Sequence, residues 1–436
     1  MLDSGIGARG EQRTRALTAN RSRIRLLCFV REPYPTYRVD VDVLFGQELL
    51  GRGHHIDFVM QAANERHRSG RYPWNGATVW VGKKIDGKGI VCRLGDHVLS
   101  LLHDLRCLWL VSPGKYDAVQ VKDKFFVAPL VYFVARLRGL KFVYWLSFPM
   151  PDAQLLRADD PSTSFRHLIR IRALLAKWLL YRWLLPRADH VFVQSEQMKR
   201  DVLAYAVPPE RVSAVPMGVP KEEVQDLGND VRSHESTLGS ALDVVYLGTI
   251  ARARRLEVLV DTLTELRRMG IDARLTVVGD GDVPQDREFL EGYAAAAGVS
   301  EFFSITGFLP RSQALARIRQ ADIGLSPFFP VPILLSTSPT KLVEYMALGV
   351  PVVANEHPEQ RRVLDASRAG VCVPWGGRYF AKGVRFLAQI GHERRRETGR
   401  RGRRWVREHR AYDVIASELE KKYCELLNVE LHQSSC

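Results

Sequence analysis

The densest run of chemistry-bearing residue types is STSPTKLVEYMALGVPVVA, from Ser336 to Ala354. Pro339 suits the first turn of a helix, Ser338 its N-cap and Gly349 its C-cap. A helix starting there leaves the amides of Thr340 and Lys341 pointing outward. Such a terminus takes up phosphate through its orphan N–H groups and its dipole, and the Lys341 ammonium adds a full charge. Glu344 follows one turn on, placed to accept hydrogen bonds from a hydroxyl pair of a sugar. The plainer alternative is an ordinary capped helix with a surface lysine and glutamate. A second candidate is VVGDGD, where Gly279 and Gly281 end an apolar run. Glycine there permits close backbone approach to a ligand, or only a strand-end turn. Asp-x-Asp occurs twice, as Asp40-Val-Asp42 at a helix entry and Asp280-Gly-Asp282 in the glycine turn, and neither setting favours a metal.

These groups need a frame. IRLLCFV (24–30), HIDFVM (55–60), YDAVQV (116–121), KFVYWL (141–146), HVFVQ (190–194) and RVSAV (211–215) read as strands. Helical spacing follows the first of them over 41–52, ending in Gly51-Arg52-Gly53. The pattern restarts with DVVYLG (243–248), ARLTVVG (273–279), FFSIT (302–306), ADIGLSP (321–327), VPVVAN (350–355) and AGVCVP (369–374). Helices fit between these at 255–269, 286–297, 311–320, 340–348 and 379–390. Alternation of this kind is α/β: two Rossmann-like doubly wound domains, each a parallel sheet with helices on both faces. The expected division is a basic tail over 1–22, a first domain over 23–220, a linker over 221–240, a second domain over 241–400, and a C-terminal helix over 401–436 packing back on the first domain. Ligands in such sheets sit beyond the carboxyl ends of the strands, so the cleft between two facing domains is the expected site.

Composition agrees with a large globular enzyme. The chain has 436 residues, 46% hydrophobic and 26% charged, and a formal charge of +14 that seeks anionic partners. Its six cysteines form no C-x-x-C pair, as expected of a reducing cytoplasm. The N-terminus lacks the apolar core of a signal peptide, and the longest apolar run, Phe125 to Ala135, is far short of the roughly 20 residues of a spanning helix.

The C-terminal half resembles the retaining family-4 glycosyltransferases of the GT-B fold. YLGT-x5-RLEVL (246–259), LTVVGDGD (275–282), ADIGLSP and PTKLVEYMALGVPVVAN carry the resemblance in that family's order and spacing. It extends more loosely over ELLGRGHHIDFV (48–59), YDAVQVKD (116–123) and ADHVFVQSEQMKRDV (188–202). The resemblance implies transfer of a sugar from a nucleotide-sugar donor with retention at the anomeric carbon. It makes Glu344 the ribose-binding second glutamate of an E-x7-E motif, whose first glutamate is replaced by Ser336. It sets Arg254, with Arg252 close by, on the β-phosphate after Gly248, and beside Lys341 these cations would neutralise a departing diphosphate. Protein cations holding the diphosphate imply that no metal or other cofactor is needed. Ser147 stands where the family often has a histidine. Asp123 is a cleft candidate for catalysis by strand position, and Lys122 its ion-pair partner or a phosphate contact. In GT-B enzymes the loop after the first strand faces the cleft, so Arg31, Tyr34 and Arg38 are candidates to hold an anionic acceptor.

Pro161–Ala188 carries six basic residues, tryptophans, many leucines and no acid. That suits a helix lying on an anionic membrane; a buried helix with snorkelling arginines is the alternative. The arginine run over 392–410 reads as a solvated helix face, and no nucleic-acid-binding motif accompanies either stretch. The expectation is a cytoplasmic transferase, peripheral on the inner face of the membrane, acting on a lipid-linked or glycan acceptor in exopolysaccharide or cell-envelope synthesis. A nucleotide-sugar enzyme of another class, or a non-catalytic GT-B-like scaffold, is the competing reading.

Overall fold

A computed structural model describes residues 23–430 except 65, 86, 88, 162 and 225–240. The expected basic tail and most of the expected linker lie outside the described residues. The chain forms two compact units. Unit 1 holds the described residues up to Gln194, Lys199–Val215, and those from Ile415 onward; unit 2 holds Ser195–Met198 and the described part of Pro216–Val414.

Unit 1 is built on β1 (Arg25–Tyr34), β2 (His55–Ala62), β3 (Gly70–Trp74), β4 (Ala77–Gly82), β5 (Ala118–Lys122), β6 (Lys141–Leu146), β7 (His190–Val193) and β8 (Val212–Ala214), in the order β3-β4-β2-β1-β5-β6-β7-β8. Every neighbouring pair is parallel except β3 with β4. That pair corrects the all-parallel expectation. Its turn is Asn75-Gly76, both residues at positive φ, the geometry that closes a two-residue hairpin. Strands β5, β6 and β7 are buried almost throughout, because helices cover both faces of the sheet. The Asp40–Leu49 helix links β1 to β2 in one direction. The Ile90–Cys107, Ala128–Leu137 and Met150–Lys177 helical segments link β4 to β5, β5 to β6 and β6 to β7 in the other. Right-handed crossovers therefore put these three segments together on the opposite face of the sheet.

The helical C-terminus is two helices, His392–His409 and Tyr412–Leu427. The break at Arg410-Ala411 exists because Val219 bonds across it, accepting from the Tyr412 amide at 2.9 Å and donating to the Arg410 carbonyl at 3.0 Å. Within unit 1, Tyr423 hydrogen-bonds Gln120 and packs on Phe192, and Glu420 meets His54 at 2.8 Å and Arg52 at 2.7 Å.

Unit 2 is an all-parallel sheet of β9 (Leu242–Leu247), β10 (Ala273–Val278), β11 (Phe303–Ile305), β12 (Ile323–Ser326), β13 (Val352–Asn355) and β14 (Gly370–Val373), in the order β11-β10-β9-β12-β13-β14. Its strands alternate between two cores. Val244, Tyr246, Leu275 and Leu325 face the core under the Glu257–Arg268, Pro284–Ala296 and Gly377–Gln389 helices. Val245, Val278, Val352 and Ala354 face the core under the Arg311–Gln320, Thr340–Ala347 and Pro358–Ser367 helices. Burial on both faces explains why these strands read as unbroken apolar runs rather than alternating ones. Within the expected linker, Lys221–Val224 forms a helical turn that buries Val224. No described helix is long and apolar enough to cross a membrane.

Burial lowers the pKa of His54, His103, His190 and His357 below the ordinary 6.5, that of His190 to about 4. The unfolded chain then binds these protons at a higher pH than the fold does. Their contribution to stability is complete above 6.5 and is lost as pH falls through the folded values. Thermal unfolding should therefore move to lower temperature between about pH 6.5 and 4, and less steeply in His190→Gln. An identical pH dependence in that variant would contradict the role given to His190.

Candidate functional site

In each sheet the chain reverses its direction of growth at one point, and ligands bind beyond the carboxyl ends of the strands flanking it. In unit 2 that point lies between β9 and β12. Strand β9 ends in Leu247-Gly248, and the Thr340–Ala347 helix begins beside it. Tyr345 fixes the spacing: its hydroxyl accepts from the Leu247 amide at 2.6 Å and donates to the Leu325 carbonyl at 3.2 Å. Gly324 makes room for that ring, since a Cβ there would stand 2.7 Å from it.

The helix begins with Pro339 as N-cap and no side-chain cap. Ser338 is not the cap, which corrects the sequence expectation; its Oγ accepts instead from the Met217 amide at 3.0 Å. The first amides of the helix therefore keep no capping side chain, as an anion site requires. Gly349 ends the helix as expected, at φ +71° with its amide bonded to the Met346 carbonyl.

Lys341 lies against Gly248. Its Nζ donates to the Tyr246 hydroxyl at 2.7 Å and stands 4.4 Å from the centroid of that ring. It makes no ion pair with a carboxylate among the described residues. Burial lowers its pKa, the Tyr246 hydroxyl opposes this, and the charge of Arg254 lowers it further. Arg254 is thus near enough for its charge to act on Lys341. Thr340 is half-buried beside Lys341, while Ser336 is buried with its carbonyl accepting from Ser195 at 2.5 Å. Glu344 is buried one turn along. Its Oε1 accepts from Arg311 at 3.2 Å, and Arg311 is also held by Glu223 at 2.8 Å. Burial pushes the Glu344 carboxyl up, against the pull of Arg311.

The remaining donor-side candidates divide. Gly248 is required by its φ of +136° and because a Cβ would stand 2.6 Å from Lys341 Cε. Gly279, at φ +149°, is required by the protein itself: a Cβ there would stand 2.3 Å from the Gly248 carbonyl oxygen. Gly281 is equally tight, 2.7 Å from the Val283 carbonyl. Arg252 is drawn away from Lys341, stacked 3.3 Å over the Phe289 ring with Asp286 at 3.8 Å.

The reversal point of unit 1 lies between β1 and β5 and is occupied by a buried ionic cluster. Lys122 Nζ reaches Glu32 at 2.5 Å, Asp40 at 3.3 Å and Asp123 at 3.8 Å. Arg38, a candidate acceptor contact, pairs with Asp40 at 3.1 Å and Glu32 at 3.6 Å. Burial acts to lower the Lys122 pKa, but the three carboxylates outweigh it and raise it. Burial acts to raise Asp40, but Lys122 and Arg38 hold it down at about 2. Asp123 and Ser147, the catalytic and acceptor candidates, bond each other: the Ser147 amide donates to Asp123 at 2.9 Å and its hydroxyl to the other oxygen. Burial pushes the Asp123 carboxyl up against Lys122. Arg31 is exposed at the end of β1 without an ion pair among the described residues. Tyr34 packs 5.5 Å from Tyr72 and 6.2 Å from Trp74 of the hairpin. Glu32 Oε2 is buried without a hydrogen-bond partner among the described residues.

Sequence reading missed Glu32, Tyr246, Glu223 and Arg311 at these two places and took Asp40 only as part of an Asp-x-Asp pair. The acids sat in view at the end of the first strand and at the helix entry; the other three carried no local signal. Among the described residues no group of three His, Cys, Asp or Glu side chains is arranged to hold a metal.

Gly248→Ala should destabilise unit 2 by roughly 1–3 kcal/mol through backbone strain and should displace Lys341. Gly279→Ala should cost at least as much, because the clash is with backbone that cannot swing aside. Denaturant unfolding of both variants checks this; wild-type stability in either would contradict the packing described.

Residues 241–389 match the family described as Glycosyl transferases group 1, and residues 44–218 match the family described as Glycosyl transferase 4-like domain. A phosphatidyl-myo-inositol mannosyltransferase of Mycobacterium leprae is 33% identical over 134 residues, 30% of this chain and 33% of that protein. The amylovoran biosynthesis glycosyltransferase AmsK of Erwinia amylovora is 23% identical over 183 residues, 42% and 43% of the two chains. The chain spans about half the length of the curated relatives it matches. Among solved structures, a sucrose-phosphate synthase of Thermosynechococcus elongatus superposes with a TM-score of 0.70 at 16% identity, covering 93% of this chain and 99% of that one. Anabaena HepE in complex with UDP-glucose does so with a TM-score of 0.65 at 12% identity, covering 92% and 100%. These likenesses carry the fold, which is GT-B in class.

Proposed function

We propose that this chain, which belongs to the group 1 glycosyl transferases, moves a sugar from a nucleotide-sugar donor to a lipid-linked or polysaccharide acceptor with retention of anomeric configuration. The observation that carries the reading is Lys341: a half-buried ammonium with no carboxylate partner among the described residues, at an uncapped helix start, with the charge of Arg254 acting on it. A cation so placed is poorly compensated by the protein alone, and a diphosphate is the anion that a helix N-terminus and two cations suit. Glu344 lies one turn behind, and its Oε2 accepts no hydrogen bond from the described residues, as a ribose-binding carboxylate requires. UDP-glucose in the HepE structure supports a nucleotide-sugar donor.

In the step proposed, the bond from the anomeric carbon to the β-phosphate oxygen breaks as the acceptor oxygen bonds to the same face. The acceptor proton passes to the departing phosphate. Lys341 and Arg254 stabilise the charge that develops there, an effect worth roughly 3–4 kcal/mol per well-placed donor in other enzymes. That role falls to the chain's own cations, so neither a metal nor another cofactor enters the proposal. Asp123 and Ser147, locked together, shape the acceptor side, where Arg31 stands exposed. An exopolysaccharide or envelope glycan acceptor, met by a cytoplasmic protein at the inner membrane face, is supported by the names of the amylovoran and phosphatidylinositol relatives and by the basic charge.

The test is transfer from a panel of labelled nucleotide-sugars to a membrane lipid extract, with and without EDTA. One donor should label lipid, with the donor's anomeric configuration kept and no loss in EDTA, and Glu344→Ala should lower kcat/KM by about 10²-fold. Tight nucleotide binding without turnover on any donor would favour a non-catalytic scaffold, a reading to which the serine at position 336 lends some weight. A separate test uses pH. The charged form of Lys341 is the active one and is lost as pH rises through its lowered pKa, so kcat/KM should fall on the alkaline side, below the ordinary lysine value of 10.5. Lys341→Arg should abolish that fall, whatever activity it keeps; an unchanged alkaline limb would place the titration elsewhere.

A further inference from the structure

The membrane contact in the reading above has a definite place in unit 1. The three helical segments that share one face of its sheet are apolar on their outer sides. The Ile90–Cys107 helix exposes Leu94, Val98 and Leu102, spaced by four. The Ala128–Leu137 helix exposes Leu130, Phe133 and Leu137, spaced by three and four, the last 86% exposed. The Arg166–Lys177 helix repeats that spacing with Leu168, Ile171 and Leu175, and the first two are 65% and 64% exposed. A helix covering a sheet should turn its polar side outward. Here Ala173 and Ala176 face inward on the last helix, and the larger apolar side chains face solvent.

The stripes form one surface. The Arg172 guanidinium lies 5.2 Å over the Phe126 ring, which joins the third helix to the start of the second. Phe133 packs 5.4 Å from Trp183, beyond the end of the third helix. Arg138 donates to the Trp109 carbonyl at 3.2 Å, which joins the end of the second helix to the segment after the first. An apolar face this extensive is made to be covered.

Charge decides what covers it. Residues 161–188 hold Arg166, Arg170, Arg172, Lys177, Arg182 and Arg187 and no acid; Arg170 pairs with Asp159 at 3.0 Å and Lys177 with Asp152 at 2.6 Å, and the other four have no ion pair among the described residues. Protein interfaces keep charge out of an apolar centre, whereas anionic lipid headgroups take cations interleaved with apolar side chains. Trp109 and Trp178 are exposed on the same face and suit the depth of the headgroups. We infer that the outer layer of the 90–107, 128–137 and 166–177 helices is a docking face for an anionic phospholipid surface, with Leu168, Ile171 and Leu175 entering the acyl boundary. The inference rests on the proposed function only for the membrane location of the acceptor.

Flotation of the full chain with vesicles of phosphatidylcholine alone, or with phosphatidylglycerol added, tests it. The chain should float with the phosphatidylglycerol vesicles, less so as salt is raised. The double variant Leu168→Glu/Ile171→Glu should bind at least about tenfold more weakly. Both positions are exposed, so its thermal unfolding should match wild type, and a control variant, Phe386→Glu in unit 2, should float normally. Wild type that stays with neither vesicle, or a double variant that floats like wild type, would overturn the proposal. So would a lipid-free dimer that the double variant breaks, because the face would then belong to a second copy. Nucleoside diphosphate binding, measured in parallel, separates the two readings. Flotation without nucleotide binding leaves the face and removes the transferase; nucleotide binding without flotation does the reverse.

Discussion

The 2.7 Å hydrogen bond from Lys341 to the Tyr246 hydroxyl sets how the Thr340–Ala347 helix stands against the end of β9. It can form only because nothing intervenes. Gly248 carries no Cβ where one would strike Lys341, and Gly279 carries none where one would strike the Gly248 carbonyl. The far end of the helix is pinned in the same manner, since a Cβ on Gly399 would stand 1.9 Å from the Gly349 carbonyl oxygen. A chain of backbone contacts that only glycine permits thus holds a cation whose own carboxylate neighbour, Glu344, is engaged by Arg311. Burial without a counter-charge is unfavourable for an ammonium, and the lowered pKa of Lys341 expresses that cost. An incoming diphosphate would relieve it.

Unit 1 solves the opposite problem at the equivalent place. Lys122 is more deeply buried than Lys341, yet Glu32, Asp40 and Asp123 surround it, and its pKa is raised. Of the two arginines expected to receive an anionic acceptor there, Arg38 is spent within the cluster and Arg31 stands open, while Lys122 takes the ion-pair alternative the sequence left for it. The two reversal points therefore differ in chemistry although they are alike in topology.

Much of this was readable from the chain because the fold writes itself in apolar runs. Strands buried on both faces need unbroken runs, and each expected run became a strand, most with shifted ends. The β3–β4 hairpin escaped because Pro73 breaks its run, although Asn75-Gly76 marked the turn. At the site, Lys341 and Glu344 could be picked out because a helix start has a local signature, whereas Gly248 and Arg254 were pointed to by the family resemblance alone. What could not be read were partners distant in sequence. Phe289 removes Arg252 from the cations, Glu223 and Arg311 secure Glu344, and Met217 takes the serine expected to cap the helix. Nor could the packing of the GRRGRR glycines be read: Gly399 and Gly402 let that helix press against Gly349, Met346 and Ala369.

The central claim is that Lys341 is an anion-binding cation held ready by its surroundings. Calorimetric titration of the full chain with UDP and GDP tests it most directly, wild type beside Lys341→Met, which keeps most of the apolar stem of the side chain and removes the charge together with the hydrogen bond to Tyr246. Wild type should bind one of the two, and Lys341→Met should bind it at least about 10²-fold more weakly while unfolding at no lower temperature. Equal affinity in the two proteins would contradict the account.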